Sequence, residues 1–128
     1  MDTRQKIHPA NALAKLVRAA QGRGETCRLA IGYFDPILAS HALRLRRLRD
    51  GAELLVVLVE SLGDPLLPAQ ARAELVAGLA SVDYVVISGK DKAEVLRAFD
   101  ESEVYNETDA DARDTEDLVL RIHERHRS

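Results

Sequence analysis

The feature that most constrains the fold of this chain is an unbroken apolar run at residues 54–59. A strand with one face in water alternates apolar and polar residues, whereas a run without polar residues is typical of a strand covered on both faces. Two further segments of strand length, residues 27–32 and 82–87, are also rich in apolar residues. The sequence therefore predicts an α/β protein with a buried parallel sheet.

Amphipathic helical patterns alternate with these strands. Apolar residues recur at three- and four-residue steps after Pro9, which predicts a first helix that ends near Gly22. Asp35 and Pro36 are residue types that cap and begin helices, so they predict the start of a second helix. Pro68 predicts the start of a third helix in the same way. The apolar face predicted for this third helix comprises Leu67, Ala71, Leu75 and Leu79.

The order of the elements predicts a Rossmann-like domain. A short helix over residues 93–99, a weak edge strand over 103–107 and a final helix over 118–126 complete the pattern. Helices and strands in alternation form parallel sheets through right-handed crossovers. We therefore predict a single three-layer α/β domain over residues 1–128, with a flexible N-terminus at 1–8 and a short parallel sheet of four or five strands. In such sheets a ligand lies off the carboxyl ends of the strands, where the strand order reverses.

Charge and composition argue against several classes of function. The formal net charge of −3 gives no overall field that would attract nucleic acid. Cys27 is the single cysteine, so an internal disulfide is impossible and a cytoplasmic location is expected. No apolar run reaches about 18 residues, the length that spans a bilayer, so no membrane partner is expected. His123 and His126 lie three residues apart without a third ligand, so we predict surface residues there and no metal site.

The segment that follows the first strand resembles a known family. Residues 32–41 read Gly-Tyr-Phe-Asp-Pro-Ile-Leu-Ala-Ser-His. They resemble the signature loop of the nucleotidyltransferase superfamily, Gly-x-Phe-Asp-x-x-His-x-Gly-His. Residues 66–86, which include Val-Asp-Tyr-Val-Val, look like a helix and strand of its cytidylyltransferase-like branch, the glycerol-phosphate cytidylyltransferases and heptose-phosphate adenylyltransferases. Asp-Thr-Glu-Asp-Leu at 114–118 is similar to the helix start that closes the family's site, and the resemblance covers roughly residues 10–126.

This resemblance implies a function and a set of site residues. Members of the family join a nucleoside triphosphate, here CTP or ATP, to a phosphorylated small molecule and release pyrophosphate, with magnesium as the cofactor of an active enzyme. They commonly form homodimers. His41 takes the place of the family's second histidine, which donates a hydrogen bond to phosphate, and is the candidate catalytic residue. The residues implied to bind the nucleotide are Gly32, Tyr33, Phe34, Asp35, Ser40, His41 and Thr115.

The His-x-Gly-His part of the signature is degenerate at two positions. Leu38 stands where the family has its first histidine, and leucine cannot donate a hydrogen bond. Ser40 stands where the family has a glycine that lets the nucleotide approach the backbone. Loss of one such donor typically lowers a rate by about 10²–10³-fold. Residues 100–117 also hold nine Asp or Glu against one Arg and no Lys, and carboxylates over the site would repel a triphosphate.

Whether the chain is an enzyme stays open at the level of sequence. The interpretation we favour is a divergent cytidylyltransferase-like domain, a pseudoenzyme with weak or lost transferase activity that still binds a nucleotide or a sugar phosphate. One alternative is an active cytidylyl- or adenylyltransferase that uses His41. Another is a non-catalytic protein-interaction module that binds no small ligand.

Several candidate residues have a structural interpretation beside the functional one. His41 is either a phosphate donor or a histidine bonded to the backbone at a helix start, and Asp35 is either a base or a helix cap. Thr115 either touches a phosphate or supports a cap, and Gly32 serves a tight turn. The arginines of the second helix are predicted to form its solvated face, with a phosphate contact from one of them as the alternative. They are Arg44, Arg46, Arg47 and Arg49, and the alternative concerns Arg44.

Overall fold

The computed structural model of the chain describes residues 2–108. Within that part, four strands form one parallel sheet in the order β3–β2–β1–β4. The strands are β1 (Cys27–Gly32), β2 (Leu54–Val59), β3 (Tyr84–Ile87) and β4 (Val104–Asn106). The prediction of a Rossmann-like α/β fold with a short parallel sheet is confirmed. That the domain extends to residue 128 stays a prediction.

Helices cover both faces of the sheet. Side chains of α1 and α4 pack on one face in a single apolar cluster, and side chains of α2 and α3 pack on the other face in a second cluster. These two clusters make the three layers of the fold. The helices are α1 (Ala10–Gly22), α2 (Ala39–Asp50), α3 (Ala69–Ala77) and α4 (Lys92–Arg97), with 3-10 turns at Thr3–Lys6 and Glu101–Glu103.

Strand β2 explains the unbroken apolar run of the sequence. Leu55, Val57 and Val59 point into the cluster beneath α2 and α3. Val56 and Leu58 point into the cluster beneath α1 and α4. All five side chains are at most 1% exposed, because β2 lies between β1 and β3 and is covered on both faces.

The predicted apolar face of α3 is wrong. Leu75, placed on that face, is 49% exposed. The buried positions of this short helix are instead Arg72, Ala73, Val76 and Ala77. Small residues let the helix backbone approach the sheet closely, and Leu75 faces water.

The segment predicted to be a flexible N-terminus makes specific contacts in the part that is described. The ammonium group of Lys6 donates hydrogen bonds to the carbonyls of Leu79 and Val82, at 3.1 and 2.8 Å. Ile7 forms a parallel bridge with Val85, and the N–H of His8 donates to the Val85 carbonyl at 2.9 Å. The chain before α1 thereby lies along the free side of β3.

Two further findings bear on the sequence predictions. Cys27 is 4% exposed, and burial raises the pKa of its thiol, which fits a buried apolar residue rather than a nucleophile. No helix within residues 2–108 is long and apolar enough to cross a membrane. The predicted final helix, with His123 and His126, lies outside the described residues.

Candidate functional site

The strand order places the candidate site at one end of the sheet. Strands β2 and β3 lie on one side of β1, and β4 lies on the other, so the strand order reverses between β1 and β4. The loop that follows Gly32 begins at this point, and Glu107 is the first residue after β4. The N–H of Glu107 donates to the Ile31 carbonyl at 2.7 Å, which holds the two chain segments together. We call this place, the carboxyl ends of β1 and β4, the reversal point.

The loop after β1 takes its shape from Phe34. Phe34 has a left-handed backbone conformation, with φ of 51°, and its side chain is 1% exposed. Its ring packs edge to face against His41, with ring centroids 5.5 Å apart. Gly32 does not form the predicted tight turn, because it is the last residue of β1 and pairs with Val59. Any contact between Phe34 and a nucleotide would therefore come from its main chain.

His41 is buried at the start of α2. It is 1% exposed, and its Nδ1 accepts a hydrogen bond from the N–H of Leu38 at 2.7 Å. Leu38 occupies the cap position of the helix and has no side-chain acceptor of its own, so the histidine ring satisfies that end of the helix. Because Nδ1 accepts, the proton of the neutral ring lies on Nε2. The hydrogen bond to the backbone that the structural interpretation predicts is therefore present.

Asp35 does not cap the second helix, contrary to the sequence prediction. That helix begins at Ala39, after a cis peptide bond between Asp35 and Pro36 and a turn. The carboxylate instead accepts hydrogen bonds from the N–H groups of Leu66 and Leu67, at 2.6 and 2.7 Å. Asp35 thus fastens the loop after β1 to the loop that leads into α3.

Arg72 was missed by the sequence analysis and is the most buried charged side chain of this region. It is 2% exposed. Its Nη1 donates to the carbonyls of Tyr33 and Glu60, both at 2.9 Å, and its Nε donates to the Leu67 carbonyl at 3.1 Å. Among residues 2–108 no carboxylate lies within ion-pair distance of the guanidinium. A single charged side chain therefore joins the ends of β1 and β2 to the loop before α3.

A signal in the sequence could have identified Arg72. It lies four residues before Val76 and next to Ala73, so it falls within the buried stripe once that stripe is placed correctly. A charged residue within an apolar stripe is rare without a polar partner. Its partners are main-chain carbonyls on three separate segments, and a pattern of residue types cannot predict such partners.

The predicted solvated face of α2 is correct for two of its four arginines. Arg46 and Arg47 are exposed. Arg49 instead forms an ion pair with Asp83 at 2.9 Å. Arg44 forms an ion pair with Glu107 at 3.2 Å, at the reversal point. These two arginines lie on the flanks of the helix, where they reach the sheet.

The remaining candidate residues are Tyr33, Ser40 and Thr115. The main-chain carbonyl of Tyr33 is held by Arg72, and its side chain is half-buried. Ser40 is exposed in the first turn of α2. Thr115 lies outside the described residues. Within residues 2–108 there is no cluster of three or more His, Cys, Asp or Glu that could hold a metal ion.

Another ion pair joins the residue after β2 to the first residue of α4. Lys92 pairs with the carboxylate of Glu60. Burial alone would raise the pKa of the Glu60 carboxyl, but hydrogen bonds from Lys92 and Ser88 outweigh it and hold the pKa below its ordinary value of 4.5. The folded state therefore favours the carboxylate.

We expect the stabilisation from Glu60 to depend on pH. It is fully present above about pH 4.5 and is lost as the pH falls through the lowered pKa, because the unfolded state binds the proton more readily. Melting temperatures of the wild type and Glu60→Gln, measured from neutral pH to about pH 3, should differ at neutral pH and converge in acid. A difference that stays constant with pH would contradict this assignment.

A cavity lies elsewhere on the molecule. It has a volume of about 460 Å³ and is bounded by one side of α2 and by the loop that precedes β3. Its lining includes Arg46, Arg49 and Ser81 but no residue of the loop at 32–41. It is therefore separate from the candidate site.

Comparisons with known proteins give the chain relatives of one kind. The bifunctional protein HldE of Pelobacter propionicus is 33% identical over 99 residues, which are 70% of this chain and 20% of that protein. The bifunctional protein HldE of Vibrio cholerae is 32% identical over 106 residues, which are 76% of this chain and 22% of that protein. This chain thus spans about a fifth of the length of these relatives. No protein-family model matches the chain.

A solved structure has the same fold. The lipopolysaccharide core biosynthesis protein from Thermoplasma volcanium superposes with a TM-score of 0.54 at 20% sequence identity. The match covers 65% of this chain and 96% of that protein. At that identity the likeness is one of fold alone.

Proposed function

The chain belongs to the cytidylyltransferase-like nucleotidyltransferase superfamily, and from that premise we propose that it is a divergent member with weak or lost transferase activity. In this proposal it still binds a nucleoside triphosphate or a sugar phosphate at the reversal point. The observation that carries the proposal is the loop of residues 32–41, which leaves β1 beside that point and keeps only one histidine of its signature, His41.

The start of α2 supports binding of a phosphate group. The helix begins at Ala39, and no side chain of its cap residue bonds to the first-turn N–H groups. Such a helix end carries partial positive charge and stabilises anions that approach it. His41 lies in the same turn and takes the place of the second histidine of the signature, which the resemblance implies as a phosphate donor. Magnesium would reach this site together with the triphosphate, whose oxygens supply its ligands.

The same region supports the loss of transferase activity. Leu38 supplies no donor where the family has its first histidine, and one missing donor costs about 10²–10³-fold in rate. Arg44 and Lys92 each form an ion pair with a carboxylate. The paired cations stabilise negative charge that develops in a reaction less than they would without the carboxylates. A site of this kind is better suited to hold a phosphate than to accelerate its transfer.

We expect CTP or ATP, with magnesium, to raise the melting temperature of the wild type. At about 100 times its dissociation constant a ligand adds roughly 2.7 kcal/mol of stability. For a domain of this size that is on the order of ten degrees. The shift should be absent in His41→Asn, whose side-chain oxygen can still accept the Leu38 N–H but which has no donor at the position of Nε2.

His41→Gln is the matched control, because its longer amide can place a donor near the position of Nε2. It should keep part of the shift that His41→Asn loses. An equal shift in the wild type and in His41→Asn would make His41 a purely structural residue. No shift with any triphosphate would contradict nucleotide binding altogether and would favour the protein-interaction module.

Pyrophosphate release separates the divergent member from an active enzyme. Incubation of CTP or ATP with a panel of phosphorylated sugars and alcohols should give pyrophosphate only slowly, at a rate within about tenfold of that of His41→Asn, because the first donor of the signature is missing. Turnover more than about a hundredfold faster than that of His41→Asn would contradict the proposal and would establish the active transferase instead.

A further inference from the structure

We propose that the outer edge of β3 is a pairing surface for a second copy of this chain, and that residues 4–8, which we call the cover, occupy this surface. Displacement of the cover would let β3 pair with β3 of a second molecule. The inference does not rest on the proposed function, because β2 separates β3 from the strand that leads into the candidate site.

The sequence of β3 lacks the features that keep the edges of sheets from pairing. An outermost strand presents N–H and C=O groups that a second strand can bind, and charged residues, proline or a covering segment usually block them. The sequence of β3 is Tyr-Val-Val-Ile, without a charge or a proline. Asp83, just before the strand, is engaged by Arg49 and by the N–H of Leu55. By contrast, β4, the other outermost strand in the described part of the chain, lies between Glu103 and Glu107.

The cover protects β3 by pairing with its main chain. Ile7 forms a parallel bridge with Val85, and the N–H of His8 donates to the Val85 carbonyl at 2.9 Å. The side chain of Ile7 also packs against the cluster beneath α2 and α3. The outer edge of β3 therefore already binds an extended segment of chain, in the way that it would bind a strand of a partner.

Lys6 holds the cover in place. Its ammonium group donates hydrogen bonds to the carbonyls of Leu79 and Val82, at 3.1 and 2.8 Å, in the turn that precedes β3. Hydrogen bonds from a charged donor are stronger than those between neutral groups. Loss of the ammonium group should therefore weaken the attachment of the cover and leave the sheet itself unchanged.

A second copy suits this edge because it supplies the same strand. Two β3 strands can pair antiparallel about a twofold axis, the symmetry most common among homo-oligomers. Side chains of β3 belong to the two apolar clusters of the fold, so no charge on one strand opposes the other. With only four residues in β3, the pairing would be weak and would depend on concentration.

Sedimentation velocity of a variant that begins at Pro9 tests the inference. Pro9 is the cap residue of α1, so the start of that helix is kept. We expect this variant to self-associate with a dissociation constant at least about tenfold lower than that of the wild type. Lys6→Met should shift association in the same direction by a smaller factor. Arg4→Met is the matched control, because Arg4 is exposed and pairs with Asp2, and it should stay within about twofold of the wild type.

A charge on the edge tests whether β3 forms the contact. Tyr84 is the first residue of β3, and its ring packs against the ring of His8, with centroids 5.2 Å apart. In the variant that begins at Pro9 this contact is already absent. Tyr84→Lys in that background should return association to the level of the wild type, because lysine on an edge strand opposes pairing. Circular dichroism checks that each variant is folded.

Two results would overturn the inference. One is equal association of the wild type and the variant that begins at Pro9. The other is a gain in association that persists with Tyr84→Lys, since another surface would then form the contact. If the variant that begins at Pro9 does not fold, Lys6→Met and Ile7→Ser in the full chain decide the matter. Folded forms of these two that associate no more than Arg4→Met would contradict the proposal.

Discussion

Arg72→Met should lower the free energy of unfolding by about 3 kcal/mol, which lowers the melting temperature by on the order of ten degrees. The carbonyls of Tyr33, Glu60 and Leu67 would each lose their hydrogen bond from the guanidinium. A buried polar group left without a partner costs about 1–3 kcal/mol. The total is less than three such losses, because methionine also removes a buried charge whose desolvation is itself unfavourable. Urea unfolding followed by circular dichroism measures the difference.

Arg47→Met is the matched control for this experiment. Arg47 is exposed on α2, and surface substitutions of that kind change stability by less than about 0.5 kcal/mol. Arg72→Lys keeps the charge but lacks the planar fork that reaches three carbonyls, so it should fall between wild type and Arg72→Met. Equal stabilities of Arg72→Met and Arg47→Met would show that the three hydrogen bonds contribute nothing net.

Phe34→Ala should lower the free energy of unfolding by about 4 kcal/mol. The phenyl ring is 1% exposed and lies between the sheet, α2 and His41, so its removal leaves a cavity as well as lost burial. Substitutions of this type typically cost about 3–5 kcal/mol. Chemical unfolding of the purified variant gives the value directly.

Glycine provides a sharper test at the same position. Glycine usually costs about 0.5–1 kcal/mol relative to alanine inside a regular element. At Phe34, however, φ is 51°, a conformation that glycine adopts without the strain of a side chain. Phe34→Gly should therefore be at least as stable as Phe34→Ala, whereas Leu29→Gly in β1 should be less stable than Leu29→Ala. The same order at both positions would contradict the left-handed conformation of Phe34.

The parts of the fold that were predictable from sequence are those whose signal is local. A run without polar residues predicts burial on two faces. The apolar run at residues 54–59 forms β2, which is buried on two faces. The weak strand predicted over 103–107 is present as β4, paired with β1. Periodicity failed on α3, because its buried stripe contains small residues and an arginine, while a leucine faces water.

The contacts of the candidate site were less predictable because they join distant segments. Asp35 is followed by proline, as a helix cap often is, yet its carboxylate binds N–H groups more than thirty residues away along the chain. The acidic stretch that begins at Asp100 predicts only repulsion of phosphate. In the structure, Glu103 and Glu107 pair with arginines of β1 and α2. The strand order decides which charged residues lie next to each other, and the strand order cannot be read from a short window of sequence.

The partners of Arg72 have a consequence for how such a chain can diverge. Every one of its acceptors is a main-chain carbonyl, which any amino acid would supply at that position. Mutations that exchange the side chains of Tyr33, Glu60 or Leu67 leave the acceptors in place. The main-chain path of the loop therefore depends little on the side chains at these three positions. Side chains at the signature positions can therefore be exchanged without removing the hydrogen bonds that Arg72 donates to the loop.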